Sequence, residues 1–155
     1  MATIRVLLVD DNGEMLADLR DELSAEFEIA GTADNGEEAI REVLRLDPDV
    51  IVLDVTMPVM NGLQVASSIR DIHRRTKILF LTIHEEPEYI SAAFSVGACG
   101  YVTKRRLASD LALAIREVSV GRNFLSPSLH QSNFFRATCR KRQSPLAAVD
   151  GEVLL

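Results

Sequence analysis

The chain has 155 residues, 47% of them hydrophobic, and carries a net charge of −6 with a pI near 5.1. This suits one packed domain. Residues 1–117, with 12 Lys/Arg against 21 Asp/Glu, make an acidic body matched to cations or basic partners rather than to nucleic acid.

Cys99 and Cys139 are far apart and outside any C-x-x-C spacing, which gives no support for a disulfide framework or a zinc site. No signal-peptide apolar region opens the chain and no apolar run reaches membrane-spanning length, so a soluble cytoplasmic protein without a membrane partner is expected. The basic run Arg140-Lys141-Arg142 is too short to mark a DNA site and reads as solvated linker.

Predicted strands and helices alternate. Residues 4–9 read as a fully buried strand, after which Met15, Leu16, Leu19 and Leu23 recur at helical spacing. Residues 27–33 are a weaker second strand, and a helix through Ala39, Ile40, Val43 and Leu44 stops at Asp47-Pro48. Residues 50–53 are a third buried strand, followed by a helix on Leu63, Val65, Ala66 and Ile69. Residues 77–82 form the fourth strand, and 88–96 a short helix opened by Pro87 and closed by Gly97. Residues 100–103 are the fifth strand, and 107–120 a fifth helix with Leu111, Ile115 and Val118 on one face. Ser126-Pro127 then reads as the start of a C-terminal linker helix with Leu129, Phe134 and Phe135 on its apolar side.

Five such units imply an α/β fold, a doubly wound five-stranded parallel sheet ordered 2-1-3-4-5 with helices on both faces. Ligand groups in these sheets gather beyond the carboxyl ends of the strands, where strand order reverses. Asp10 and Asp11 follow the first strand, Asp54 the third and Lys104 the fifth, while Thr82 ends the fourth. Three converging carboxylates repel one another without a cation, and oxygen-only ligation with room for water suits Mg²⁺. A hydroxyl and an ammonium beside them are groups that hold anionic oxygens. The set describes phosphoryl transfer to an oxygen nucleophile, Asp54. Mg²⁺ would bridge Asp10 or Asp11, Asp54 and a phosphoryl oxygen, with Lys104 on a second oxygen and Thr82 on a third.

Over residues 3–121 this combination resembles the CheY-like receiver domain of bacterial response regulators. The resemblance is carried by Asp10-Asp11, by D-V-T-M-P-V-M-N-G from Asp54 to Gly62, by Thr82, and by G-A-C-G-Y-V-T-K ending at Lys104. It implies a flavodoxin-like fold, a phospho-aspartate at Asp54 donated by a sensor histidine kinase, and Mg²⁺ dependence. It also implies that the backbone carbonyl of Thr56 completes the metal shell, and that Thr82 and Tyr101 form a conformational switch. Thr82 would turn to the phosphoryl group, Tyr101 would move into the space left, and the repacked face would alter dimerisation. Such a domain is a phosphoacceptor and not an enzyme in its own right.

Arg105 stands where many receivers have proline, and G-R-N-F-L-S-P from Gly121 to Pro127 is similar to the linker start of the NarL/FixJ branch. There a receiver, here residues 1–121, leads to a LuxR-type helix-turn-helix domain. Residues 122–155 are expected to hold a linker and an incomplete C-terminal segment. DNA binding and control of transcription would fall to a domain absent from this chain.

Simpler roles compete with these. D-N-G-E occurs at 11–14 and again at 34–37, and a capping carboxylate explains Asp34, whereas the doubled acid at Asp11 favours metal. Thr82 alone would be an ordinary strand residue, and Tyr101 is packed on any reading. His84-Glu85-Glu86 lacks the second histidine of H-E-x-x-H and reads as surface loop. His73 and His130 read as exposed, and Met57 and Met60 as packing. A haloacid-dehalogenase-like phosphatase would need an aspartate where Thr56 stands. An FMN binder would need a hydroxyl-rich phosphate loop in place of Asp10-Asp11, and a non-phosphorylated interaction module would not need the whole set.

Overall fold

The structure is a computed structural model that describes residues 3–129. Strands Arg5–Val9 (β1), Glu28–Ala33 (β2), Val50–Leu53 (β3), Lys77–Thr82 (β4) and Gly100–Thr103 (β5) pair in parallel, in the order β2-β1-β3-β4-β5. Helices Gly13–Leu23 (α1), Gly36–Leu46 (α2), Gly62–Ile72 (α3), Pro87–Ser95 (α4) and Leu107–Ser119 (α5) make the crossovers. No described helix is long and apolar enough to cross a membrane.

β1 and β3 are apolar on both faces because both faces are covered. Leu7, Val9, Ile51 and Leu53 pack with Val43, Val65, Ile69 and Phe94 on the α2–α3–α4 side. Val6, Leu8, Val50 and Val52 pack with Leu19, Leu23, Leu111 and Ile115 on the α1–α5 side. Each such burial contributes about 1.5–3 kcal/mol, enough to hold the central strands and whatever follows them in fixed register.

The expectation of five strands is corrected at one edge. A sixth, Phe124–Leu125 (β6), pairs in parallel with β5. Gly121, at φ 87°, ends α5 in a Schellman turn: its N–H donates to the Val118 carbonyl, and the Arg122 N–H to that of Glu117. The chain thereby returns along β5, where Phe124 N–H donates to the Cys99 carbonyl and Ser126 N–H to that of Tyr101. Two residues are too few for a periodicity to announce; what recruits them is the otherwise unpaired edge of β5. Of the expected linker helix, the described part is a 3-10 turn at Pro127–Leu129, with Leu129 buried in the core. His130, Phe134 and Phe135 lie outside the described residues.

Two local expectations also change. Asn12 and Asn35, not the preceding aspartates, cap α1 and α2: the Asn12 side chain accepts from the N–H groups of Glu14 and Met15, and that of Asn35 from Glu38. Asp34 instead accepts from the Asn35 amide. His73 is partly buried and paired through Nε2 with Asp47 at 2.7 Å, because the end of α3 meets the left-handed turn that closes α2.

The loop after β3 is set by Gly62. Its N–H donates to the Val55 carbonyl at 2.7 Å, and a Cβ there would lie 2.0 Å from the Asp54 carbonyl oxygen. Backbone on both sides cannot yield cheaply. Gly62→Ala is therefore expected to lower the thermal midpoint, by an amount equivalent to about 1–3 kcal/mol. Thermal denaturation checks this, and an unchanged midpoint would mean that the loop gives way freely.

Candidate functional site

Val9 and Leu53 are register partners, so the residues that follow them leave adjacent strand ends together. Asp54 N–H donates to the Val9 carbonyl at 3.3 Å, and Asp10 N–H to that of Ala33 at 3.2 Å. Asp10 and Asp54 are nearly buried, at 2% and 7% exposure, while Asp11 is exposed. One oxygen from each of Asp10, Asp11 and Asp54 falls within 4.8 Å of the others.

Lys104 reaches this group from the end of β5. Its Nζ lies 2.8 Å from Asp10 Oδ2 and 3.0 Å from Asp54 Oδ2. Burial works to lower the lysine's pKa, but the two hydrogen bonds and the carboxylate charges outweigh it and hold the ammonium above its ordinary value. The remaining oxygens are also engaged: Asp10 Oδ1 accepts from the Asn12 N–H at 2.9 Å, and Asp54 Oδ1 from the Thr56 N–H at 3.3 Å. Asp11 stands apart. Partial desolvation first, then the charge of Asp10 and a hydrogen bond with it, push its carboxyl above the ordinary range.

Three carboxylates and one ammonium leave the cup with two negative charges, and all its ligand atoms are hard oxygens. The donor set fits a hexacoordinate divalent cation that keeps several waters. Asp10, Asp11 and Asp54 are the side chains that could hold it.

The other expected residues surround this cup at varying distance. Thr56, two residues beyond Asp54, gives its N–H to that carboxylate, and its hydroxyl pairs with His84 Nε2 at 2.6 Å. Thr82 is fully buried beside Thr103, its register partner, and its hydroxyl accepts a long 3.5 Å bond from the His84 N–H. Tyr101 is likewise enclosed. Its hydroxyl donates to the His84 carbonyl at 2.7 Å, its ring lies 6.3 Å from that of Phe80, and burial raises its pKa far above the ordinary value. The tyrosine is thus already inside in the unmodified chain.

His84 is the residue that sequence reasoning missed. It is bonded to Thr56, stacked on Tyr89 with ring centroids 4.1 Å apart, and joined through its backbone to both Thr82 and Tyr101. Weighed only as half of a zinc motif, it read as loop. Its place two residues after Thr82, in the loop that leaves the end of β4, was the available signal. Arg105, the departure from proline, makes a two-pronged pair with Glu85 at 2.8 and 2.9 Å and so ties the turn after β5 to the loop after β4.

Comparison with known proteins places this arrangement. Residues 6–116 match the response regulator receiver domain, and the chain belongs to that family. It is 35% identical over 153 residues to an uncharacterised transcriptional regulatory protein, YvfU, of Bacillus subtilis, covering 97% of this chain and 74% of that protein. It is 36% identical over 135 residues to the response regulator GacA of Pseudomonas viridiflava, covering 83% and 61%. Among solved structures, a LuxR-family two-component response regulator from Aurantimonas sp. is 31% identical, with a TM-score of 0.81 over 84% of this chain and 94% of that one. The receiver domain of a NarL response regulator from Mycobacterium tuberculosis is 30% identical, with a TM-score of 0.75 over 79% and 100%.

Opposite effects are expected from two substitutions in metal-free buffer. Asp11→Asn removes one of three repelling charges, so the thermal midpoint should rise, and the further rise on adding Mg²⁺ should vanish. Lys104→Met strips two nearly buried carboxylates of their cation and should cost up to about 3 kcal/mol. Scanning fluorimetry with and without Mg²⁺ reads both; a drop for Asp11→Asn would contradict the repulsion.

Proposed function

We propose that the chain is the phosphoacceptor of a two-component pathway, taking a phosphoryl group from a sensor histidine kinase onto Asp54. The observation that supports this most is the lysine bridge: Lys104 joins the Asp10 and Asp54 carboxylates beside a third, Asp11, at the end of the central strands. A structural ion pair would not need the third carboxylate.

In the reaction, a carboxylate oxygen of Asp54 attacks phosphorus. The P–N bond of the donor phosphohistidine breaks, and its electron pair returns to the imidazole nitrogen, which takes up a proton. Mg²⁺ held by Asp10, Asp11, Asp54 and the Thr56 carbonyl would supply the positive charge that offsets the phosphoryl oxygens. Lys104 passes from its two carboxylates to one of those oxygens, and the Thr82 hydroxyl turns to another. The Asp10 and Asp54 contacts with Asn12 and Thr56 N–H groups keep the cup in place meanwhile.

The added group brings about −1.5 to −2 charges. Thr82, Tyr101 and His84 are one connected set, so the turn of Thr82 acts on a tyrosine that is already enclosed and on the loop before α4. Dimerisation and control of transcription, the latter suggested by the relatives' names, would follow from repacking of this face. DNA contact would run through a separate helix-turn-helix domain, since the acidic excess of residues 1–117 makes the receiver body a poor ligand for phosphates.

The test is treatment with acetyl phosphate and Mg²⁺, followed by intact-mass measurement. One added phosphoryl group is expected, absent from Asp54→Asn and from samples with excess chelator. No added mass, or equal labelling of Asp54→Asn, ends the proposal.

A further inference from the structure

The edge strand that was not expected lies against the residues through which the site would signal. Ser126 is fully buried. Its N–H donates to the Tyr101 carbonyl at 3.1 Å, and its hydroxyl accepts from the Thr103 N–H at 3.3 Å. The side chain thus continues the β5–β6 ladder by one rung after the backbone has turned away into Pro127–Leu129. Leu125 and Leu129, at 2% and 8% exposure, share a core cluster with Tyr101, Ile90, Ala93 and Phe94. Phe124–Leu129 is therefore seated on β5 and under α4 by two main-chain bonds, the Ser126 hydroxyl and two leucines.

Each anchor touches a residue next to the chemistry. Tyr101 is bonded to His84, and Thr103 is covalently joined to Lys104, which must exchange partners when Asp54 is modified. The face is also imperfectly satisfied. The hydroxyls of Ser91 on α4 and of Thr103 on β5 are buried with no hydrogen-bond partner. By strand alternation the side chains of Tyr101, Thr103 and Thr82 point to the same side of the sheet, the side covered by α4. A buried hydroxyl without a partner costs free energy, which a packing that satisfied it would recover. The long Ser126–Thr103 bond is the one nearest Lys104 and the first that a shift of Lys104 would strain.

We propose that Phe124–Leu129 is a latch, held on β5 in the unmodified protein through Ser126 and the two leucines, and released when Lys104 and Thr82 turn to a phosphoryl group on Asp54. Release of this segment, the last before residue 130, is the step that would carry the state of the site onward along the sequence. The proposal rests on phosphorylation at Asp54. By thermodynamic reciprocity, loosening the latch also favours the phosphorylated state.

Amide hydrogen exchange on the full chain tests it, read at Phe124, Ser126 and Leu129, alongside intact mass. With acetyl phosphate and Mg²⁺, exchange at these amides should quicken by at least about fivefold, the lower end of ordinary coupling between sites. Exchange at the Leu53 amide should stay unchanged, as should all four amides in Asp54→Asn. Ser126→Ala should quicken exchange at Phe124 and Ser126 without any phosphodonor, and should raise the phosphorylated fraction at a fixed donor concentration. A chain that gains phosphoryl mass while the latch amides exchange at their old rate, or more slowly, overturns the latch and leaves the phosphoacceptor reading intact. A chain that gains no mass removes both.

Discussion

Two nearly buried carboxylates at adjacent strand ends are the constraint on which the rest of this molecule turns. β1 and β3 are pinned side by side by side chains covered on both faces, so Asp10 and Asp54 cannot move apart without breaking the core. Their repulsion has to be met by a cation brought from elsewhere, and Lys104 brings it across the width of β4. A lysine suits this place better than an arginine: a single ammonium on a flexible stem can change acceptors with little reorganisation. Because the lysine is anchored by β5, anything that sets the position of β5 is felt at the carboxylates.

That dependence orders the surrounding structure. The loop after β4 hangs over the cup through His84, which contacts Thr56 on one side and Tyr101 and Tyr89 on the other. Glu85 and Arg105 fasten that loop to the turn after Lys104, a pair largely in solvent and worth a fraction of a kcal/mol. On the far edge β6 closes β5. The strand that carries the lysine is thus held by packing and main-chain bonds on both sides, with a buried tyrosine at its centre. Asp54 is joined to this strand through Lys104 directly, and by hydrogen bonds through Thr56 and His84 to Tyr101.

Much of this was legible beforehand, for identifiable reasons. Runs such as V-I-V-L at 50–53 are too apolar and too short for anything but a covered strand, and Pro87 and Gly97 punctuate α4 as their backbone preferences require. Asp10, Asp11, Asp54 and Lys104 could be placed together because the topology of parallel sheets brings strand ends to one edge. His84 escaped because its role depends on a stacked neighbour and on backbone contacts, none of which leaves a spacing in the chain. Asn35 was overlooked beside Asp34 because either side chain can cap a helix, and only the turn geometry chooses between them.

The sequence by itself determined the alternation of strands and helices, the covered central strands, and which charged groups emerge at their carboxyl ends. Those follow from local patterning and from the small number of ways in which parallel strands can be joined. Tertiary structure alone decided three things: which carboxylate oxygens share the ammonium, that Tyr101 is already enclosed, and that the residues after α5 return as a sixth strand. Each is a contest between partners distant along the chain, settled by distance and exclusion of water, and neither quantity is written in the order of residues.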